Sequence, residues 1–381
     1  MAEASYFSVV TSEASFESRF AAEEGHRFSE MHDVAASEWG REHLFACRVV
    51  RRGTQSNVLP VLSQFASRSD LRSPTEITKF LDGPAQTDMA ESEHRLVRKY
   101  GATIGQIWSA MAMFKGTPKR RGADRVDCRD ENGDQDEARP ERDRRTTRQD
   151  CYVDSGMMRV GSSRPLAEDS DGPSSVGYVD AESHKLLALP EDETLRLASC
   201  VIRHILYFGR PQGSESMIRV VEFRDSKTRL ATTTPVLERM ITATDDGGLS
   251  LRVKDGDGFE LTKNHVGILE AKGRFQCIDD GKPVISDRCF AQMTCEALVA
   301  RLADPFKEFV HESVILINAT QHYMCFLQFE ISQEYLDDFE SDEPRSFLYV
   351  NSTPWFDLSS KTGRGHVVSN ICGMMRWAKE S

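Results

Sequence analysis

The chain has 381 residues, and its 48 Lys and Arg against 60 Asp and Glu leave a net charge of −12. So acidic a chain has no global attraction for nucleic acid or anionic membrane, and binding either one requires a local basic patch. No stretch approaches the roughly 18 apolar residues of a membrane span, and the N-terminus, with Glu3, Glu13 and Glu17 and no compact apolar run, does not read as a signal peptide.

The length suits two ordinary domains, or one elaborated domain with a long insertion. The nine cysteines are scattered and contain no CxxC; the nearest pair, Cys289 and Cys295, falls within an expected helix. They read as reduced, mostly buried thiols of an intracellular protein in nucleus or cytoplasm, and not as a disulfide scaffold or a zinc site.

Along the chain, residues 1–114 form a partly helical region. The apolar stretch Val58, Leu59, Val61, Leu62 reads as strand or short helix, with Pro60 arguing against a central strand. Pro74 opens a short helix through Ile77, Phe80 and Leu81. From about Ser92 to Phe114, Leu96, Tyr100, Ile104, Ile107, Trp108 and Met111 keep helical spacing, which predicts one helix. Residues 115–150 then carry 21 charges in 36 positions. Such a segment cannot bury enough surface to offset its ordering entropy, so 115–180 is expected to be a disordered charged linker or insertion.

Residues 181–381 read as one folded unit. A helix is expected from Pro190 to Phe208, stopped by Gly209, then a strand at 216–223 and a short apolar turn or helix from Pro235 through Ile241. The turn Asp245-Asp246-Gly247-Gly248 precedes a strand at 249–254. A second turn, Asp255 to Gly258, leads to a strand at 265–272. A helix at 287–302, strands at 311–319, 323–331 and 347–350, and a closing helix from Val367 to Ala378 complete an α/β class core, a mixed central sheet flanked by helices. The apolar run 314–317 fits a strand covered on both faces.

The chemical signal is Glu270-Ala271-Lys272. In a strand Glu270 and Lys272 point the same way, so a carboxylate and an ammonium lie side by side at the end of an apolar run. A strand ending at Asp255 to Asp257, one hairpin upstream, could bring a second carboxylate. An Asp and a Glu together can hold a hard divalent cation, which polarises a phosphodiester and lowers the pKa of an attacking water. The bland alternative is a solvated, salt-bridging strand. His204, beside an apolar helix face, reads as a structural histidine; His265 reads either as a phosphate contact or as a strand-end surface residue. No GxGxxG or GxxxxGK[ST] occurs, so no nucleotide cofactor is expected.

Helix, acidic hairpin, E-x-K strand, helix and strand resemble the core of the PD-(D/E)xK nuclease superfamily, with its restriction-endonuclease-like fold. Residues 181–381 are similar to domains of this type found in many fungal proteins, in Ile268 to Lys272, in Gln292 with Glu296, and more weakly in Gln321-His322, Trp355 to Leu358 and Gly363-Arg364. The resemblance implies a Mg²⁺- or Mn²⁺-dependent nuclease acting on DNA. In it Asp255 and Glu270 would be the metal carboxylates, with Asp257 the rival of Asp255, and Lys272 the motif lysine.

Gln292 would face the site, or else pair on the surface with Glu296. Glu193 matches an accessory carboxylate in position only, and equally supplies charge at a helix N-terminus. The alternative is a catalytically silent domain of this fold that binds protein or nucleic acid. Residues 1–114 either pack as extra helices on the nuclease-like core or form a separate piece that binds a protein partner. Two departures stand out: Lys254 replaces the usual proline before the aspartate, and Gly256 and Gly258 loosen the hairpin.

Overall fold

The computed structural model describes residues 4–53, 55–65, 74–115, 191–209, 218–279, 281–304, 307–309 and 311–380. These all belong to a unit built from Met1–Gly116 and Gly172–Ser381. Apart from Lys115, the expected linker 115–180 lies outside the described residues.

The N-terminal region starts with α1 (Tyr6–Val9), α2 (Glu13–Ala22) and α3 (Arg41–Ala46), then a short strand, β1 (Val49–Arg51). Pro60–Leu62 is a 3₁₀ turn with proline at its first position. Next come α4 (Thr75–Asp82), α5 (Glu93–Tyr100) and α6 (Ala102–Lys115). The single helix expected over 92–114 is thus two. Gly101, at φ 87°, adopts a left-handed conformation that ends α5 and redirects the chain.

The second half begins with α7 (Glu191–Phe208) and strands β2 (Arg219–Arg224), β3 (Arg229–Thr233) and β4 (Met240–Thr244). The apolar segment through Ile241 therefore ends as a strand, because β4 pairs with β3 in a separate hairpin. Strands β5 (Gly248–Asp255) and β6 (Gly258–Lys272) form a long hairpin, and β7 (Cys277–Asp279) and β8 (Lys282–Val284) a small one. Helix α8 (Asp287–Ala303) crosses to β9 (Ser313–Thr320). The chain closes with β10 (Tyr323–Glu330), α9 (Gln333–Asp338), β11 (Leu348–Ser352), β12 (Phe356–Asp357) and α10 (Lys361–Glu380). Among the described residues no helix is long and apolar enough to cross a membrane.

The main sheet is mixed and eight-stranded, in the order β1-β11-β10-β9-β6-β5-β2, with β12 added to β10. Its centre is the parallel pair β6 and β9, joined through α8. Every residue of β9 is buried. Val314 and Leu316 enter one core with Phe290 and Leu298 of α8, whereas Ile315 and Ile317 enter the other with Leu197 and Ile202 of α7. This alternation is what a strand covered on both faces requires.

The N-terminal region is integral to these layers. β1 extends the sheet edge beside β11, and Trp108 and Phe80 lie in the second core. Arg41 binds Asp287 in the first turn of α8 at 2.8 Å, and the Tyr6 backbone N–H donates to the same carboxylate at 2.6 Å. The helix that crosses to β9 is thereby anchored by residues 246 and 281 positions away.

Candidate active site

At the carboxyl end of β6, Glu270 is 1% exposed and makes an ion pair with Lys272 on the same strand face. Gln292, on α8, donates its amide to Glu270 Oε1 at 2.7 Å and to Glu296 Oε1 at 3.0 Å. Gln292 thus faces the carboxylate on β6, and its contact with Glu296 one turn away is made in the interior, because Glu296 is buried and is not a surface partner. Asn318 lies beside Glu270 in the parallel register, and its amide points to Cys289 Sγ at 3.9 Å. The amino end of α7 closes the site. Thr194 donates to the Lys272 carbonyl at 3.1 Å and accepts from the Gln321 N–H at 3.1 Å. Ligand sites of open α/β sheets fall at this same place, outside the carboxyl ends of parallel strands.

Asp255 is not part of this group. It pairs with Gly258 at the tip of the β5–β6 hairpin, and a dozen residues of strand separate that tip from Glu270, roughly 35–40 Å. The exposed Asp257 sits on the same tip. The reason is the length of β6, which runs 15 residues and begins seven positions before the strand expected at 265–272.

The carboxylate that does reach Glu270 is Asp246, in the Asp245–Gly248 turn before β5. The Asp246 N–H donates to the Leu269 carbonyl at 3.0 Å, and its Oδ2 accepts the Ala271 N–H at 2.9 Å. It is thus strapped to the two residues that flank Glu270. Gly248 makes this possible: a Cβ there would sit 2.3 Å from the Gly267 carbonyl oxygen, so only glycine lets β5 start so close to β6. The turn itself is braced by Arg224, whose guanidinium binds both oxygens of Asp245 at 3.1 and 2.6 Å.

The electrostatics follow from this crowding. Burial pushes the Glu270 pKa up, the Lys272 ammonium pulls it back and Asp246 pushes it up again, leaving it at about 7. Burial and the adjacent Glu270 hold Glu296 well above the usual carboxylate range, so Glu296 carries the proton of the pair. Burial opposes the charge of Lys272, but the Glu270 carboxylate outweighs it and the ammonium stays charged. Lys227 donates to Asp246 Oδ1 at 2.7 Å, and Glu191, in the first turn of α7, lies 3.9 Å from Lys272. Glu193 instead faces Arg196 at 3.9 Å.

A carboxyl with a folded pKa above its unfolded value of 4.5 holds its proton more tightly in the fold. The stabilisation is complete below about pH 4.5 and lost as pH rises through about 7. Folding stability, read from denaturation midpoints, should therefore fall as pH rises across that window. Glu270→Gln should flatten the slope; a slope unchanged in that variant would contradict the assignment.

The histidines resolve separately. His204 is buried between Thr103 Oγ1 at 3.0 Å and the Glu76 carbonyl at 3.2 Å, a structural role. His265 is no surface residue: its Nδ1 lies 2.7 Å from Glu308 Oε1, and both side chains are buried. The described cysteines are all free thiols.

The donor set can be tested against a cation. Among the described residues no group of three or more His, Cys, Asp or Glu is spaced to hold a metal ion, whereas zinc usually takes three or four protein ligands. Mg²⁺ instead keeps several waters and uses one or two carboxylates. Asp246 and Glu270, two oxygen donors against one strand, fit that pattern. The chain matches no protein-family model and no curated protein.

Proposed function

We propose that this is a divalent-metal-dependent nuclease of the PD-(D/E)xK type, with a restriction-endonuclease-like core formed by α7, the β5–β6 hairpin, α8 and β9, hydrolysing phosphodiester bonds of DNA. The observation that carries the reading is the convergence of Asp246, Glu270 and Lys272 at the carboxyl end of β6. Asp246 takes the role that the sequence pattern assigned to Asp255. Asp246 and Glu270 would hold Mg²⁺ or Mn²⁺, which when bound polarises the scissile phosphate and acidifies a bound water.

The side chains divide the remaining work. Lys272, charged and at the mouth of the site, orients the attacking water and stabilises charge on the phosphoryl oxygens. It is a donor and not a base, because Glu270 keeps its proton on. Gln292 fixes the Glu270 carboxylate by its 2.7 Å bond, and the protonated Glu296 behind it limits the negative charge buried there. Lys227 and Lys272, with the exposed Arg274 and Lys282 on the connection to α8, supply local basic groups beside the site.

A second reading rests on one observation. Asp246 and Glu270 each already carry a lysine ammonium, Lys227 and Lys272, so the charges balance without a cation. That arrangement suits a silent domain of the same fold that binds protein or nucleic acid. Incubating the purified chain with Mg²⁺ or Mn²⁺ and single- and double-stranded DNA and RNA separates the two. The nuclease reading expects cleavage that requires the ion and disappears in Glu270→Gln. Absence of cleavage with every substrate and ion transfers the assignment to the binding module, and equal cleavage by the variant would remove Glu270 from the chemistry and overturn the proposed site.

A further inference from the structure

A second feature lies at the other end of the sheet. β9, β11 and β1 run the same way as β6, so Arg48 and Phe347, which directly precede β1 and β11, mark the amino ends of strands whose carboxyl ends face the Glu270 side. Between them opens a cavity of about 550 Å³, within the range of small-molecule sites. Phe20, Phe347 and the buried Phe45 line it. Three guanidinium groups, from Arg27, Arg48 and Arg345, line it as well.

The aromatic walls are fixed by their neighbours. Phe16 lies 5.3 Å edge-on to Phe347 and 5.5 Å from Phe20, and Phe20 lies 6.0 Å from Phe45. Arg48 covers Phe347 at 4.0 Å and is neutralised by Glu17 at 3.0 Å. Its backbone is left-handed, at φ 49°, a conformation that non-glycine residues keep only where the surroundings impose it, often at binding sites.

Arg27 and Arg345 differ from Arg48. Their backbones are pinned, the Arg27 N–H to Glu30 at 2.8 Å and the Arg345 N–H to Asp338 at 2.6 Å. Their guanidinium groups have no hydrogen bond or ion pair among the described residues and are exposed. Among the described residues lining the cavity, Arg27, Arg48 and Arg345 stand against Glu17 and Glu343, and Arg48 is the arginine that Glu17 pairs with. Free guanidinium forks suit the planar oxygens of phosphate or carboxylate, and phenyl walls suit a flat ring.

We propose that this cavity binds a small planar anion, a flat ring system carrying a phosphate or carboxylate, with the anionic group on Arg27 and Arg345 and the ring between Phe20 and Phe347. The site stands apart from the Glu270 cluster and does not depend on the nuclease reading. Calorimetric titration of the full chain tests it, with adenosine monophosphate and naphthalene-2-carboxylate as the two anionic heads, adenosine as the ring alone and inorganic phosphate as the anion alone. At least one planar anion should bind saturably, at least tenfold tighter than ring or phosphate alone.

Arg27→Ala and Arg345→Ala should each weaken that binding about tenfold or more. Both side chains are exposed, so the variants should fold, and unchanged melting temperatures would verify this. The proposal is overturned if neither planar anion saturates below about 10 mM, if adenosine binds as well as its monophosphate, or if both arginine variants bind unchanged.

Discussion

Replacement of Arg224 with alanine should cost about 3–5 kcal/mol of folding stability, the range for breaking one partner out of a buried ion pair. Arg224 and Asp245 are 10% and 3% exposed as side chains. The guanidinium also reaches Thr228 Oγ1 and the carbonyls of Ser226 and Gly247. Asp245 in turn accepts the N–H groups of Thr228 at 2.8 Å and Gly247 at 3.2 Å. Removing the guanidinium strands a buried carboxylate in the turn that positions Asp246. Arg224→Lys should recover little, since one ammonium cannot span both carboxylate oxygens and the carbonyls. Equilibrium denaturation measures the loss; a change below about 1 kcal/mol would show that the turn is held by something else.

The largest effect on chemistry is expected from Lys272→Ala. Lysine is not an oxygen ligand, so Mn²⁺ binding should stay within a few-fold of wild type. Cleavage should fall by about 10²–10³, the usual cost of one preorganised charge stabiliser. Stability should fall as well, by about 1–3 kcal/mol, because Glu270 loses its counter-ion beside Asp246. The loss should be greater at pH 8 than at pH 6, since at the lower pH Glu270 escapes the penalty by keeping its proton. A variant that cleaves like wild type would remove Lys272 from the mechanism. A stability loss without wild-type cleavage is the signature of the silent domain.

The sequence disclosed this site unevenly, for physical reasons. Glu270, Lys272 and Gln292 were legible because strand alternation fixes the first two on one face and the following helix crosses that face. Asp255 lies far from the site because β6 continues through the mostly exposed segment Gly258 to Asn264, where Phe259 and Leu261 alternate too briefly to mark a strand. The hairpin therefore looked short. Asp246 was visible only as a turn residue; the signal that could have found it is an Asp directly before a strand whose glycine start demands close approach. Glu296 was hidden for another reason, since an acid one helical turn from Gln292 reads as a surface pair until the structure buries it.

Elsewhere, Pro74 and Gly209 marked helix ends that hold, α4 and α7, because these residues act through local backbone geometry. Gly101 leaves no break in the pattern, because the apolar spacing continues through it. The short β1 carries too few residues for any periodicity, and its place beside β11 comes from tertiary contacts.

Titration of Mn²⁺ into wild type, Asp246→Asn and Asp255→Asn tests the central claim most directly. One site is expected in wild type and in Asp255→Asn, and none in Asp246→Asn. Equal binding by all three, or loss in Asp255→Asn alone, would contradict the placement of the cation between Asp246 and Glu270.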